Sequence, residues 1–307
     1  MNGSENGRVA VVTGGSSGVG REILRGLAER GFRVLAISRG EGGGEAAVEA
    51  LRRDTGNDAL HFLPADLATM AEVRDVAARV RGREPRLDVL VNNAGAFFAR
   101  RVTTPDGFEA SFALNHLAPF LLTHLLLEPL LEGGSGRVVV TASEASRAAR
   151  LRFDDPMLTR RYSGWAAYGQ SKLANIAFTT ELARRVQGAP VTANAFHPGF
   201  VNTGFGSGDT LMNRLVQLAA RVAGRQPWRG AETGLYLAVS DEVAEVSGGY
   251  FADRQRIRPK PEARDPETIE RLWRLSEELV GLTDEERAPL ARVSSAAPGD
   301  RDVARGG

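Results

Sequence analysis

Cysteine is absent from the 307 residues, and lysine nearly so: of 39 basic residues only Lys172 and Lys260 are lysines, leaving 37 arginines. Without cysteine there is no disulfide framework, no Cys-ligated zinc or iron–sulfur cluster, and no thiol catalysis. The four histidines, His61, His116, His124 and His197, lack the spacing of metal ligands, so no metal is expected. No block of five or more basic residues occurs and the formal net charge is +1, which argues against nucleic acid as a partner. Long hydrophobic runs are also missing. The longest apolar stretch, ALNHLAPFLLTHLLLEPLL around Leu125–Leu127, is broken by His116, Pro119, His124 and Pro129 and is too short to span a bilayer. No integral membrane segment is therefore expected. The first seven residues, MNGSENG, have no apolar signal-peptide core, and the expected compartment is cytoplasmic. Arginine in place of lysine, with abundant Ala and Gly, suggests a GC-rich, bacterial coding source.

What is present is a regular alternation. Short β-branched runs fall at Arg8–Thr13, Phe32–Ser38, Ala59–Pro64, Leu87–Asn92, Gly136–Ser143, Val191–His197 and Gly248–Phe251. Between them lie segments of helical period at Gly18–Arg30, Gly44–Thr55, Thr69–Gly82, Pro105–Leu131, Gly164–Val186 and Arg229–Ser240. Continuous apolar strands separated by helices predict an α/β fold: a single doubly wound, Rossmann-type, seven-stranded parallel sheet with helices on both faces. Ligands of such a sheet sit at the carboxyl ends of its strands. One domain is expected over residues 1–293. A last helix starts at Asp265–Pro266, an N-cap followed by Pro at N1, and stops at Gly281; Ile269, Leu272, Trp273 and Leu279 give it a buried face. The remaining SSAAPGDRDVARGG, residues 294–307, is expected to be disordered.

The first strand runs into Thr13-Gly14-Gly15-Ser16-Ser17-Gly18-Val19-Gly20, a T-G-x-x-x-G-x-G turn at a strand-to-helix junction. Glycines there permit close backbone approach to a pyrophosphate seated on the helix N-terminus. No GK[ST] follows, so this is not a Walker loop. Gly14, Ser16, Ser17, Gly18, Val19 and Gly20 are the expected cofactor-binding residues; the alternative is an ordinary βα turn. The second strand ends in Ser38-Arg39 rather than in an acid. An arginine suits a ribose 2′-phosphate, which points to NADP over NAD, unless Arg39 is one more surface arginine. Asp66 and Leu67 follow the third strand and either meet an adenine ring or cap the next helix.

Tyr168 and Lys172 stand at i and i+4 of one predicted helix and so share a face. A free tyrosine, with pKa near 10, is a poor proton shuttle at neutrality. A neighbouring ammonium favours the phenolate and is expected to lower that pKa. With four tyrosines and two lysines in the chain, chance rarely makes such a pair. Elsewhere this chain uses arginine for charge, so a lysine here suggests that a compact ammonium is needed.

T-G-x-x-x-G-x-G, then Asn92-Asn93-Ala94-Gly95 after the fourth strand, then Tyr-x3-Lys, in this order, resembles the short-chain dehydrogenase/reductase superfamily from Arg8 to about Leu282. Three further stretches look like its retinol dehydrogenase-like branch: Asn115-His116-Leu117 through Leu127; Arg161-Tyr162-Ser163 ahead of Tyr168 and Ser171-Lys172-Leu173-Ala174-Asn175; and Ser247–Phe251 with Leu272-Trp273 and Ser276–Leu282. The 25-residue gap from Ser143 to Tyr168 matches the long insert of that branch. The resemblance implies an NADP(H)-dependent oxidoreductase that moves hydride between nicotinamide and a carbonyl or alcohol of a hydrophobic small molecule. It implies Tyr168 as general acid/base, Ser143 on the substrate carbonyl, Lys172 on the tyrosine and the ribose, and Asn115 holding a water that connects Lys172 to solvent. It implies that Asn92, Ala94 and Gly95 line the nucleotide, Asn92 partly as a structural residue. Pro198, Gly199, Val201 and Thr203 would meet the nicotinamide carboxamide or the pyrophosphate. A homodimer through the Pro105–Leu131 and Gly164–Val186 helices is a further implication.

Residues 206–228 carry an apolar stripe, Leu211, Leu215, Leu218 and Val222, beside Arg214, Arg221 and Arg225. This stretch reads as a substrate lid, a core helix, or a membrane-surface or partner helix. Phe97, Phe98 and Phe153–Asp155 are candidates for the substrate pocket. A different class of function stays open: a catalytically silent NADP-binding regulator of the same fold.

Overall fold

Val9–Thr13 (β1) is buried along its whole length, as a strand covered on both faces must be. The computed structural model describes residues 7–40, 43–199 and 226–296. After β1 come α1 (Gly18–Ala28), β2 (Arg33–Ser38), α2 (Gly44–Thr55), β3 (Leu60–Pro64), α3 (Met70–Arg83) and β4 (Val89–Asn92). The helical middle comprises α4 (Ala110–Phe112), a π turn (Ala113–Leu117), α5 (Ala118–Leu125) and α6 (Leu127–Glu132). Then follow β5 (Gly136–Thr141), α7 (Gly164–Arg185), β6 (Val191–Phe196), α8 (Pro227–Val239), β7 (Tyr250–Ala252), β8 (Gln255–Ile257), α9 (Pro266–Val280) and α10 (Asp284–Ala296).

Among the described residues the sheet has eight strands in the order β3-β2-β1-β4-β5-β6-β7-β8. The seven predicted strands are all there and parallel; β8 is an addition, antiparallel to β7. Asp253 and Arg254, both at positive φ (48° and 61°), make the tight turn between them. The chain reverses direction of winding between β1 and β4, and this switch point opens a crevice at the carboxyl ends of the strands. One face of the sheet buries Ile23, Leu24 and Leu27 of α1 with Ala231 and Leu237 of α8. The other buries Val73 of α3, Leu121 of α5, Leu173 of α7 and Trp273 of α9.

The helix expected over Pro105–Leu131 is instead four pieces. Pro119 has no N–H to give and disturbs the regular i→i−4 ladder. The chain accommodates it with the π turn, in which the Ala118 N–H reaches back five residues to Ala113 O.

The last predicted helix has the ends read from its caps. Asp265 accepts from Thr268 N at 2.9 Å, Pro266 is its first residue, and Gly281 closes it at φ +58°. Ile269, Leu272 and Trp273 are buried as expected, but Ser276 and Val280 complete the buried face while Leu279 lies at its edge. Past Gly281, α10 continues to Ala296, so the tail expected to be disordered from residue 294 begins inside a helix; residues 297–307 lie outside the described residues.

The two C-terminal helices lie on α5 and α7. Trp273 makes an edge contact with Phe120 (centroids 5.0 Å apart) and stacks on Phe178 (5.9 Å, 24°), while the Arg185 guanidinium lies 4.4 Å from its ring centroid.

Candidate active site

The glycine loop closes on itself tightly. Gly14 and Gly18 have φ of +70° and +56°, and Gly14 N donates to Ile37 O at 2.8 Å. A Cβ on Gly20 would lie 2.3 Å from Gly14 O and 2.4 Å from Asn93 Nδ2, so no other residue fits there. Val19 is buried in the core, and its contribution to the loop is its backbone. Ser17 is the N-cap of α1, yet its side chain caps nothing and is exposed. A free hydroxyl and a row of unpaired N–H groups at a helix N-terminus are what a pyrophosphate needs. The fold therefore fits the dinucleotide that its crevice implies.

Asn93, missed by the sequence reading, pins this loop. Its Nδ2 donates to Thr13 O at 3.0 Å, its backbone N donates to Thr13 Oγ1 at 2.9 Å, and its Oδ1 accepts from Thr141 Oγ1 at 3.4 Å. Successive strand residues point to opposite faces. Asn92, assigned to the cofactor, is accordingly turned into the core, 2% exposed, with Nδ2 donating to Thr123 Oγ1 at 2.9 Å. Ala94 N donates to Thr13 Oγ1 at 3.0 Å, and Gly95 is exposed. Leu67 is a core residue beside Ile37 and Met70, so its side chain does not face a ligand. Asp66 Oδ1 accepts from Ala68 N at 3.0 Å and thereby caps a turn. Arg39 is exposed, two residues beyond Ile37, whose register partner is Thr13 at the head of the glycine loop.

Ser143, Tyr168 and Lys172 converge at the carboxyl end of β5. Ser143 caps the short turn after β5, accepting from Ala145 N at 3.3 Å, and is hydrogen-bonded to the Tyr168 phenol. Lys172 Nζ lies 5.9 Å from the Tyr168 ring centroid and donates to Thr141 O at 3.0 Å. Both are buried. Burial pushes Tyr168 up to about 12, against the Ser143 hydrogen bond, and pulls Lys172 down to about 8. Burial, rather than the neighbouring ammonium, sets the direction of the Tyr168 shift.

Asn115 sits in the π turn with no exposure. Its Oδ1 accepts from Ala96 N at 2.8 Å, and its Nδ2 donates to Ala96 O at 3.0 Å and to Ser171 Oγ at 2.9 Å. Both amide hydrogens are thus used to fasten the loop after β4 to α7. A Cβ on Gly95 would meet Asn115 Oδ1 and Lys172 Nζ, each at 3.1 Å, so the glycine gives these two groups their room.

After β6, Gly199 takes φ +76° and its N–H donates to His197 Nδ1 at 3.1 Å, with Pro198 between. His197 Nε2 lies 3.0 Å from Glu144 Oε2 and its ring packs by Tyr250, which makes it a brace for the loop rather than a base. Val201 and Thr203 lie outside the described residues, as does the expected lid except for residues 226–228.

An aromatic row leads to the phenol: Phe97 is 6.1 Å from Tyr168 and 4.9 Å from Trp165, which is half exposed. Beside Trp165 a groove of about 500 Å³ is lined by Ala145, Ala148, Ala149 and Ala166 with Arg150 and Arg152. Phe153 and Asp155, expected at the pocket, are engaged elsewhere. Phe153 lies under the Arg271 guanidinium at 4.3 Å, and Asp155 accepts from Thr159 and Arg160. Tyr162 donates to Phe98 O at 2.7 Å and contacts buried Glu109, so Phe98 serves through its backbone. Lys260 Nζ donates to Ala149 O and pairs with Glu262 at 3.2 Å, while Glu262 accepts from Leu151 N. These bonds clamp the insert between β5 and α7. Among the described residues no cluster of metal-ligating side chains and no helix able to cross a membrane occurs.

Comparison with known proteins agrees with this geometry. The family model of the short chain dehydrogenases matches residues 8–212. Retinol dehydrogenase 12 of Mus musculus is 41% identical over 276 residues, covering 90% of this chain and 87% of its own. A crystal structure of a protein from Mycobacterium Paratuberculosis superposes with a TM-score of 0.72 at 33% identity, covering 91% of this chain and 95% of that one. The Pseudomonas aeruginosa RhlG/NADP active-site complex follows at a TM-score of 0.64 and 27% identity, covering 81% and 95%.

Proposed function

This chain belongs to the short chain dehydrogenase family, in its retinol dehydrogenase-like branch, an oxidoreductase that acts on CH–OH groups with a nicotinamide cofactor; we propose that it is an NADPH-dependent reductase of hydrophobic aldehydes or ketones with Tyr168 as the proton donor. The observation that carries the reading is the Ser143–Tyr168–Lys172 cluster at the carboxyl end of β5, with Tyr168 and Lys172 buried and Lys172 Nζ 5.9 Å from the phenol ring.

The dinucleotide, when bound, supplies the hydride. The chain's own residues do the rest. Ser143 donates its hydroxyl hydrogen to the substrate carbonyl oxygen and fixes its place. Tyr168 passes its phenolic proton to that oxygen as negative charge develops there. Lys172, tethered to Thr141 O, offers its remaining N–H donors toward the phenolate that Tyr168 leaves. General acid catalysis of this kind supplies about 10²–10⁴ in rate, and positioning supplies much of the remainder. The Phe97–Trp165 row and the alanine-lined groove suit an apolar substrate. Turnover of NADPH with members of a panel of medium-chain aldehydes, ketones and all-trans-retinal, followed by absorbance, is the expected result. NADPH binding without turnover across the panel would overturn it in favour of a silent regulator.

The preference for NADPH is supported by Arg39 at the end of β2, and the NADP complex of the related structure is in keeping with it. A charge-assisted bond to a 2′-phosphate is worth about 1.5–3 kcal/mol, roughly 10- to 100-fold in affinity. Arg39→Ala is therefore expected to weaken NADPH binding by that factor and leave NADH binding unchanged, as read by fluorescence titration. Equal affinity for the two nucleotides in the unaltered protein would refute the assignment.

A further inference from the structure

Beneath the site, next to Asn115, His116 is completely buried and takes no part in the mechanism above. Burial pulls its pKa down to about 4, so the ring is neutral at physiological pH. A neutral imidazole has one N–H and one bare nitrogen. Nδ1 faces Asn175 Oδ1 at 3.4 Å. Nε2 lies 2.9 Å from Ser276 Oγ on α9. Ser276 Oγ donates to Leu272 O at 2.8 Å, so the hydroxyl ties the imidazole to the backbone of α9. Asn175, its oxygen engaged by His116, turns its Nδ2 to Thr141 O at 3.2 Å. That same carbonyl accepts from Lys172 Nζ at 3.0 Å. Ser276, His116, Asn175 and Lys172 are each at most 2% exposed.

We propose that Ser276, His116 and Asn175 form a positioning relay from the C-terminal helix α9 to the Lys172 ammonium, acting through the Thr141 carbonyl. A carbonyl oxygen has two lone pairs. Asn175 takes one and, held by His116, fixes its direction; the other is left as the single seat for Lys172 Nζ. The covering helix α9 is thereby a working part of the site. This inference rests on the catalytic reading of Tyr168 and Lys172 given above, although its test does not require turnover.

The chain's two lysines make the test direct. In protein labelled with ¹³C at lysine Cε, two signals report the two ammonium groups, and Lys260→Arg assigns them. Lys172 is expected to titrate near 8. In Ser276→Ala its midpoint is expected to fall by about 0.5–1 pH unit, because a loosened acceptor favours the charged form less, and in Asn175→Ala, which also removes a competing N–H from the Thr141 carbonyl, to move by at least as much. Ser276→Thr keeps the hydroxyl while adding a methyl to a closed site. If α9 matters only for packing, Thr is the worse substitution; if the relay acts, Thr restores the wild-type titration. Unchanged titration in both Ser276→Ala and Asn175→Ala, or a shift in Thr as large as in Ala, would overturn the relay. Loss of catalysis in Tyr168→Phe with no such shift would sink the relay alone; an active Tyr168→Phe would sink the catalytic reading instead.

Discussion

Tyr168→Phe is expected to bind NADPH with nearly unchanged affinity and to reduce no carbonyl at a measurable rate. The substitution removes one oxygen from a buried ring whose place is set by Phe97 on one side and α7 on the other, so the fold has little reason to change. What it removes is the phenolic proton that the proposed mechanism delivers to the oxygen where alkoxide charge develops. Ser143 remains, but a serine hydroxyl is far too weak an acid to replace it. A fall of at least 10²–10⁴ in kcat is the general-acid contribution alone. Single-turnover absorbance at saturating NADPH measures it, and a rate within a few-fold of the parent would end the mechanism.

The pH dependence follows from the same two groups. Reduction needs the phenol protonated and the amine charged. Tyr168, raised to about 12, keeps its proton throughout the accessible range, whereas Lys172, lowered to about 8, loses its charge first. The alkaline limb of carbonyl reduction is therefore expected to belong to Lys172, with initial rates measured against pH declining as pH rises through about 8.

The parts of this site that the sequence discloses are those set by local spacing. The glycine loop and the Tyr168–Lys172 pair each lie within one turn of chain, and their geometry follows from helix and turn rules. Asn93 was hidden because choosing between two adjacent asparagines requires the strand register, which places Asn92 in the core and Asn93 on the loop. Asn115 was identified by resemblance, but the π turn around it depends on Pro119 and on what packs against that helix. β8 has three residues, mostly exposed, and its turn contains no glycine, so it carries none of the usual hairpin signals. α10 was masked by an internal proline, Pro289, and a serine- and alanine-rich end. Its helical state owes more to docking, through Leu290 in the core and the Arg74–Glu286 pair at 2.7 Å, than to intrinsic propensity. The relay to Lys172 joins residues 160 positions apart in the chain, a juxtaposition that only the fold supplies.

Trp273→Ala is expected to cost about 3–5 kcal/mol of stability, read as a lowered urea midpoint. The indole is almost wholly buried, stacked on Phe178 and edge-on to Phe120, with Nε1 donating to Glu277 at 2.9 Å and Arg185 over its outer face. Removing it leaves a cavity between α5, α7 and α9 that these rigid helices close only in part. The consequence reaches past stability. α5 is buried along all of its residues, in a core that also holds Val73 of α3, Trp273 of α9 and Leu290 of α10. A homodimer through α5 and α7 would have to displace both C-terminal helices and with them the Ser276 hydroxyl beneath the active site. The unaltered chain is therefore expected to sediment without a dimer built on this face, while Trp273→Ala exposes apolar helix surface and gains self-association as it loses stability. An unaltered urea midpoint in Trp273→Ala would show that α9 rests on the domain without holding it. A dimer of the parent chain in which α5 and α7 meet their copies would show that the covering helices are displaceable.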